Sequence, residues 1–422
     1  MINISFQTFG CKLNFSETST IAEGFNDSEY QIVKDISKSD FHIIHSCTVT
    51  EQAEKKCRQA IRHAAKINPN IKIIVLGCYS QLHPDELNHM PNVVMICGNE
   101  SKFNIHDLIK QINNEEGKLQ MEMNDDVKDF QYHTSISNDT RTRTFLKIQD
   151  GCNYFCTYCA VPYARGRSRS DKIDNVLKIV KQAVANSTRE IVLSGVNLGD
   201  FGNNGENLFD LLIELTQING LDRIRISSIE PNLLENRIIQ LAAEENNIMP
   251  HFHIPLQSGS DKVLSMMKRR YDTSFFKDKI LEIKQFIPDA CIAVDLITGF
   301  PGENNQDFED ICNFIQSIDI SYLHIFSYSD RPEALASKFS DKVSPEEIIR
   351  RSKILHQISD NLHTKFINKY SGIERNILFE MKNREGNWVG WTDNYIRSEY
   401  KSDENLKNEI KKTKVIPYYS KQ

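Results

Sequence analysis

Six short apolar runs, "RTFLKIQ", "REIVLSG", "RIRISSI", "HFHIPLQ", "CIAVDLITG" and "YLHIFSYS", recur between residues 143 and 329 with helical stretches between them. Each is rich in β-branched residues and bounded by turn formers, as buried strands are. The intervening "DKIDNVLKIVKQAVAN" and "NLFDLLIELTQI" repeat their apolar residues at helical spacing. Six consecutive βα units predict a partial (β/α)6 barrel, two units short of closure.

The same alternation marks the first hundred residues. "INISFQTFG", "DFHIIHS", "IKIIVLG" and "NVVMIC" read as strands, and "EQAEKKCRQAIRHAAK" places Ala53, Cys57, Ala60, Ile61 and Ala64 at helical spacing. Residues 1–112 are therefore expected to form a small α/β domain on a largely parallel sheet. Residues 113–140 are polar and acidic without periodicity, a linker with room for a short strand of its own. The barrel, 141–370, is expected to close on a helix opening at "SPEE". Ser344 caps it, Pro345 lies in its first turn, Glu347 completes a capping box, and it runs to about Tyr370. Residues 371–422, with "RNILFEMKNREGNWVGWTDNYIRSEYK" and turns at Gly386 and Gly390, predict a small all-β barrel.

No run approaches the roughly 18 apolar residues of a membrane helix, and "MINISFQTFG" lacks the features of a signal peptide. These readings predict a cytoplasmic protein with no membrane partner. Its ten cysteines then serve as ligands, nucleophiles or small buried residues rather than as a disulfide framework. A net charge of −6 gives no general attraction for nucleic acid, so a polyanionic partner needs a local basic surface. Arg165, Arg167 and Arg169 in "ARGRSRSDK", and the lysine-rich tail from Lys407 to Lys421, are the two places that offer one; each taken alone reads as solvated surface charge.

The cysteine-rich loop "DGCNYFCTYCAVPYARGRSR" follows the first barrel strand, where active-site loops belong. Cys152, Cys156 and Cys159 are one thiol short of a structural zinc site, and no Cys or His follows until His251. Haem attachment needs His where Ala160 stands, and a redox pair of Cys156 and Cys159 leaves Cys152 unexplained. An iron–sulfur cubane held by three thiolates uses all three and leaves one iron open. Cys11, Cys47 and Cys78 each stand directly after a predicted strand, in "TFG-C", "IHS-C" and "VLG-C". In a parallel sheet the strand carboxyl ends share one edge, so these three can meet as a second such set. Each taken alone is equally a small buried thiol at a strand end, as is Cys97; Cys57 and Cys312 stand at helical spacing on apolar faces and Cys291 starts a strand, where core packing is the expected role.

The C-x3-C-x2-C spacing after a first barrel strand resembles the radical S-adenosylmethionine enzymes. That resemblance implies a 4Fe-4S cluster whose open iron chelates S-adenosylmethionine, cleaved to a 5′-deoxyadenosyl radical, with Tyr158 lying against the adenine. Along the chain, "TFGCKLNFSE", "SCTVTEQAEKKCRQAIR", "LGCYSQ", "FLKIQDGCNYFCTYCAVPYARGRSRS", "LSGVNLGDFG", "RISSIEP", "HIPLQSGSDKVLSMMKRRYD" and "DLITGFPGE" occur in the order found in the methylthiotransferases. "KIQDGC", the "SCTVT…CRQ" block and "WTDNYIR" most resemble the branch acting on N6-threonylcarbamoyladenosine at position 37 of tRNA.

This resemblance implies a second 4Fe-4S cluster on Cys11, Cys47 and Cys78, a C-terminal TRAM barrel, and two S-adenosylmethionine molecules, one methylating a sulfur and one generating the radical. It implies as partners a tRNA anticodon loop, an electron donor such as flavodoxin or ferredoxin, and a sulfur source. Further S-adenosylmethionine contacts are expected at Ser194, Gly195, Glu230, Gln257, Asp295 and Gly299. After the last strand, "SYSDRPEALAS" departs from the family pattern at Ser327, Glu333 and Ala334, and only Arg331 carries an expectation there. The rival substrates are isopentenyladenosine in tRNA and an aspartate of a ribosomal protein. Rivals of another class are an iron–sulfur electron carrier and an RNA-binding module.

Overall fold

Parallel pairing organises the first hundred residues. β1 (Ile2–Thr8), β2 (Tyr30–Ile32), β3 (Phe41–Ser46), β4 (Lys72–Gly77), β5 (Val93–Cys97) and β6 (Gln120–Glu122) form one parallel sheet in the order β2-β1-β3-β4-β5-β6. Helices cover both faces: Ile21, Ile105, Leu108 and Ile109 pack on one side, and Cys57, Ala60, Ile61 and Ala64 on the other. Burial on both faces is why β3 and β4 read as nearly continuous apolar runs. The computed structural model describes all residues except 26–28, 113–119, 125–126, 128–129, 138–141, 203–204 and 420–422. Much of the expected linker, and Lys421 of the basic tail, thus lie outside the described residues. The described part of the linker serves both neighbours, since β6 extends the first sheet and β7 (Ser135–Ile136) pairs with the first barrel strand.

β8 (Arg143–Lys147) opens the partial barrel, and β9 (Gln149–Asp150) pairs with β10 (Arg169–Ser170) to bracket the cysteine loop. β11 (Glu190–Ser194), β12 (Arg223–Ile226), β13 (His251–Gln257), β14 (Cys291–Thr298) and β15 (Tyr322–Ser327) continue it in parallel. Isolated bridges from Ile224 to Ile248 and from Ser228 to His253 join the β12 edge to β13. The six expected strands therefore stand in sequence order, over a core that includes Leu146, Ile191, Ile224, Ile254, Val294 and Leu323. The long helix, Pro345–Tyr370, packs on β15. Its cap is as expected at Ser344, but Glu347 does not reach back to complete a box: its carboxylate is taken by Arg350 and Arg351, both at 2.7 Å.

β16 (Glu374–Lys382), β17 (Trp388–Thr392), β18 (Arg397–Tyr400) and β19 (Ile410–Lys414) form an antiparallel sheet in the order β18-β17-β16-β19. Gly386 turns with φ +87°, as expected. Gly390 instead lies within β17, because a Cβ there would stand 2.2 Å from the Leu378 carbonyl oxygen of the neighbouring strand. This sheet covers the amino-terminal end of the barrel. Arg223, at the start of β12, donates to the Asn376 carbonyl at 2.7 Å and the Trp391 carbonyl at 3.0 Å, and Arg143 pairs with Glu380 at 2.9 Å. The carboxyl end of the barrel is left to the N-terminal domain.

Burial lowers His42 to about 4 although Ser5 shares a 2.8 Å hydrogen bond with its ring. A depressed histidine binds fewer protons in the folded chain than in the unfolded one, so stability falls as pH drops from about 6.5 towards 4. Denaturant unfolding across that window is expected to show this slope, and His42→Gln should remove up to about 1.4 kcal/mol per pH unit of it.

Candidate functional site

The first thiol set is built by the sheet register. β1, β3 and β4 are neighbours, with Thr8 opposite His45 and Ser46 opposite Gly77, so their carboxyl ends align. Cys11 then caps the Lys12–Glu23 helix, Cys47 follows β3, and Cys78 opens the Cys78–Leu82 helix. Gly10, at φ +106°, brings its loop so close that a Cβ would stand 2.7 Å from Cys47 Cβ and 2.8 Å from its sulfur. Each sulfur lies within the others' field, since charge on Cys11 and Cys78 would raise the Cys47 thiol further. With burial as the larger cause and these charges beside it, that thiol is pushed up to about 12.

The second set hangs on the loop after β9. Gly151 is required there, because at φ +71° a Cβ would lie 2.0 Å from the Arg167 carbonyl oxygen. Cys152 accepts from the Tyr154 amide at 3.4 Å, Cys156 from Arg269 Nη1 at 3.1 Å, and the Cys159 amide donates to the Cys156 carbonyl at 3.0 Å. Burial pushes Cys152 up to about 12 and raises Cys156 and Cys159 as well.

Both sets fit an iron–sulfur cluster better than a single ion. Thiolates on one zinc stand about 3.8 Å apart, from a Zn–S bond of about 2.3 Å in a tetrahedron. Among the described residues, the only three metal-ligating side chains with ligand atoms all within 4.8 Å of one another are His253, Asp295 and His324. Neither thiol set has all three sulfurs within that distance of one another, as fits thiols that each bind a different iron. Burial that disfavours a free thiolate is no obstacle, because a bound metal ion deprotonates its thiol outright. Each set also has a cationic donor on sulfur: Arg165 Nε on Cys78 at 3.2 Å, and Arg269 on Cys156.

The second set opens on a chamber whose wall includes the residues that follow Cys47 of the first. A cavity of about 190 Å³ is lined by Thr48, Val49 and Thr50, directly after Cys47, and by Cys159, Tyr158, Gln257 and Asp295 of the barrel. What fixes this juxtaposition is a buried charge cluster. Glu17, of the Lys12–Glu23 helix, is 0% exposed and accepts from Lys102 at 2.7 Å, Lys147 at 2.8 Å and Arg165 at 3.0 Å. Asp150 accepts from the same Arg165 at 2.9 Å and from Lys147 at 3.4 Å and Arg169 at 3.3 Å. The Arg165 Nη2 group also donates to Asn14 at 2.7 Å, and Asn14 holds the Phe9 and Ser46 carbonyls at 2.8 and 3.1 Å. Burial alone would push Glu17 and Asp150 up. Arg165 and the neighbouring cations instead hold both below the usual carboxylate range.

Several expectations change here. Arg165 is not surface charge but 3% exposed, and Arg169 is committed to Asp150 and the Gln131 carbonyl; Arg167 alone of that trio is exposed. Of the tail, Lys407, Lys412 and Lys414 are exposed. Tyr158, Gln257 and Asp295 line the chamber, with Gln257 in the left-handed region at φ +71°. Glu230 reaches the loop through Arg269, which also donates to the Tyr158 hydroxyl at 3.2 Å. Ser194 and Gly195 end β11 and pack beside Gln149, away from the lining. Gly299 makes room for Ile348 of the long helix, whose Cγ1 would lie 2.3 Å from a Cβ there.

Arg331 lines the chamber and pairs with Glu54 of the N-terminal domain at 2.5 Å. Glu333 stands 3.5 Å from His83 of that domain, so the departing loop is a second tether. All ten cysteines are free; Cys57, Cys97 and Cys291 are fully buried, and Cys312 packs on the barrel core. Sequence reasoning missed Glu17, Lys102, Lys147 and Arg269, since a charge inside a helix or after a turn reads as solvated until its partners are known.

A partial parallel barrel with a three-thiol loop at its first strand end defines a radical S-adenosylmethionine protein. Residues 146–315 match the Radical SAM superfamily, and residues 3–98 match Uncharacterized protein family UPF0004. The chain is 35% identical to threonylcarbamoyladenosine tRNA methylthiotransferase MtaB of Bacillus subtilis (strain 168), over 99% of this chain and 94% of that one. It is 34% identical to the protein of the same name from Aquifex aeolicus (strain VF5), over 94% of this chain and 96% of that one. It is also 30% identical to tRNA-2-methylthio-N(6)-dimethylallyladenosine synthase of Endomicrobium trichonymphae, covering 90% and 89%. The chain belongs to the tRNA methylthiotransferase family. Among solved structures, radical S-adenosylmethionine methyltransferase TsrM from Kitasatospora setae shares the fold, with a TM-score of 0.58 at 12% identity over 80% of this chain and 77% of that one.

Removing Glu17 leaves the buried Lys102 with no carboxylate and takes from Lys147 and Arg165 one of the two that each has. Glu17→Ala is expected to cost about 3–5 kcal/mol in denaturant unfolding, and Glu17→Gln less. Because both carboxylates are depressed, their contribution is complete above pH of about 4.5 and is lost only as pH falls below that through their folded values.

Proposed function

We propose that this chain transfers a methylthio group to carbon 2 of N6-threonylcarbamoyladenosine at position 37 of tRNA. The observation that carries the reading is a chamber walled by Cys159 of one three-thiol set and by Thr48, Val49 and Thr50, directly after Cys47 of the other, in a chain of this family. The substrate assignment is supported by relatives at 33–35% identity that bear the threonylcarbamoyladenosine name. Two 4Fe-4S clusters and S-adenosylmethionine would supply the methylated sulfur and the one-electron cleavage that makes the radical.

The protein's own side chains hold, orient and exclude water. Cys152, Cys156 and Cys159 would hold the cluster that engages S-adenosylmethionine, with Tyr158, Gln257 and Asp295 bounding its chamber side. Ser194, Gly195, Glu230 and Gly299 are proposed to complete the cofactor's contacts at the strand ends. Cys11, Cys47 and Cys78 would hold the second cluster. Arg269, fixed between Glu230 and Tyr271, keeps Cys156 and Tyr158 in place. Arg331 and Glu54 close the chamber wall between the two domains. The domain limits proposed are 1–112, 141–370 and 371–422, with the C-terminal sheet as the TRAM barrel that receives the anticodon loop. Splayed loop bases suit a buried reaction site. A flavodoxin or ferredoxin would deliver the electron and a separate donor the sulfur, in the cytoplasm.

Anaerobically reconstituted protein is expected to carry about eight irons per chain. The triple variant Cys11→Ala, Cys47→Ala, Cys78→Ala should carry about four and still release 5′-deoxyadenosine after dithionite reduction. Unchanged iron in that variant would refute the second cluster. Mass spectrometry of tRNA nucleosides from cells lacking the gene should show loss of the 2-methylthio derivative of threonylcarbamoyladenosine, with its unthiolated precursor accumulating. Loss of the isopentenyl derivative instead would overturn the substrate assignment.

A further inference from the structure

We propose that His253, Asp295 and His324 form a site for a single divalent first-row transition ion, apart from both thiol sets and beside the chamber. The three stand on adjacent parallel strands, whose register sets Asp295 of β14 opposite His324 of β15 and Pro255 of β13. Their ligand atoms all lie within 4.8 Å of one another. His253 Nε2 and Asp295 Oδ1 are 2.6 Å apart, and the His253 and His324 ring centroids 5.1 Å. Alternate residues of a strand share a face. Asp295 and Ile297 both line the chamber, and so does Phe326, two residues after His324. The trio therefore lies where the barrel interior meets the chamber, and Asp295 belongs to both.

Two features separate this group from a histidine that merely orients a carboxylate. Among the described residues Asp295 pairs with no lysine or arginine, and its ion-pair partner is His253. His324 makes no hydrogen bond among the described residues, so a ring nitrogen beside Asp295 keeps its lone pair unused. Histidines elsewhere in the chain that serve the fold are held by hydroxyls, His42 by Ser5 at 2.8 Å and His45 by Thr18 at 2.9 Å.

Two imidazoles and one carboxylate, with no thiolate among them, suit zinc, iron(II) or manganese(II). With metal–ligand bonds of about 2.0–2.2 Å, neighbouring donors stand about 3 Å apart. The closest pair here, at 2.6 Å, opens slightly as the ion replaces the proton that His253 and Asp295 share, and His324 turns inward to complete the set. His253 and Asp295 are half-buried and His324 is exposed, which leaves the ion a way in. Three protein ligands keep further positions open, on the side of Asp295 that faces the chamber, for water or an oxygen-bearing group.

The test titrates anaerobically reconstituted full-length protein with Mn2+ alone, in the absence of S-adenosylmethionine. Both clusters are kept in their oxidised, EPR-silent state, so the thiols are occupied and manganese is the only paramagnet. The free-ion signal is expected to vanish up to about one equivalent per chain, and pulsed EPR of the bound ion should show coupling to two imidazole nitrogens. His324→Ala should leave one coupled nitrogen, and so should His253→Gln, which can still donate to Asp295. Each variant should lose more affinity than the roughly 10- to 100-fold that removal of a supporting residue costs, at unchanged iron content. The site is overturned if wild type binds no manganese, if the bound ion shows no nitrogen coupling and is held adventitiously by surface carboxylates, or if two nitrogens persist in His324→Ala. None of these readings depends on which adenosine the enzyme modifies.

Discussion

One arginine with all its donors occupied joins the two halves of the site. Arg165 leaves the cysteine loop of the barrel and divides its contacts among Glu17, Asn14 and Cys78 of the N-terminal domain and Asp150 of its own. Buried ion clusters contribute little net stability against an apolar alternative, but they tolerate only one geometry, because each missing partner leaves a charge without water. That intolerance suits a domain interface that must be right to within a bond length. With Lys102 and Lys147 joining Glu17, the register between the sheet edge and the barrel mouth has no low-cost alternative.

The two thiol sets repeat one design. In each, an arginine donates to a cysteine sulfur and is itself held by a carboxylate: Arg165 by the buried Glu17 and Asp150, Arg269 by the half-buried Glu230. The carboxylate fixes the guanidinium, and the guanidinium lowers the cost of negative charge on sulfur. Burial raises the thiols of Cys11, Cys47, Cys152, Cys156 and Cys159, so the fold favours them protonated unless a metal ion binds. The glycines at 10 and 151 answer a different need, letting backbone approach where any side chain would collide.

The large strands and all six loop and strand-end cysteines were legible in the sequence because they depend on local pattern: β-branched runs, turn residues and a fixed spacing. Edge strands of two or three residues, such as β2 and β7, carry too little pattern and exist because a neighbour offers its edge. Gly390 looked like a turn because glycine in a strand has no local signature; its cause is the Leu378 carbonyl on the next strand. Glu347 was read from helix-end rules, yet two arginines one turn on compete for it successfully. Charges were hardest. Arg165 sits among basic and turn-forming residues that read as surface, and only the approach of Glu17, 148 residues away in sequence, makes it interior.

The most direct test of two clusters facing one chamber is iron anomalous diffraction from crystals of the anaerobically reconstituted protein. Two separate iron centres are expected, one ringed by Cys11, Cys47 and Cys78 and the other by Cys152, Cys156 and Cys159, with the Thr48–Thr50 loop and Asp295 between them. A single centre, or early cysteines without iron beside them, would contradict the account.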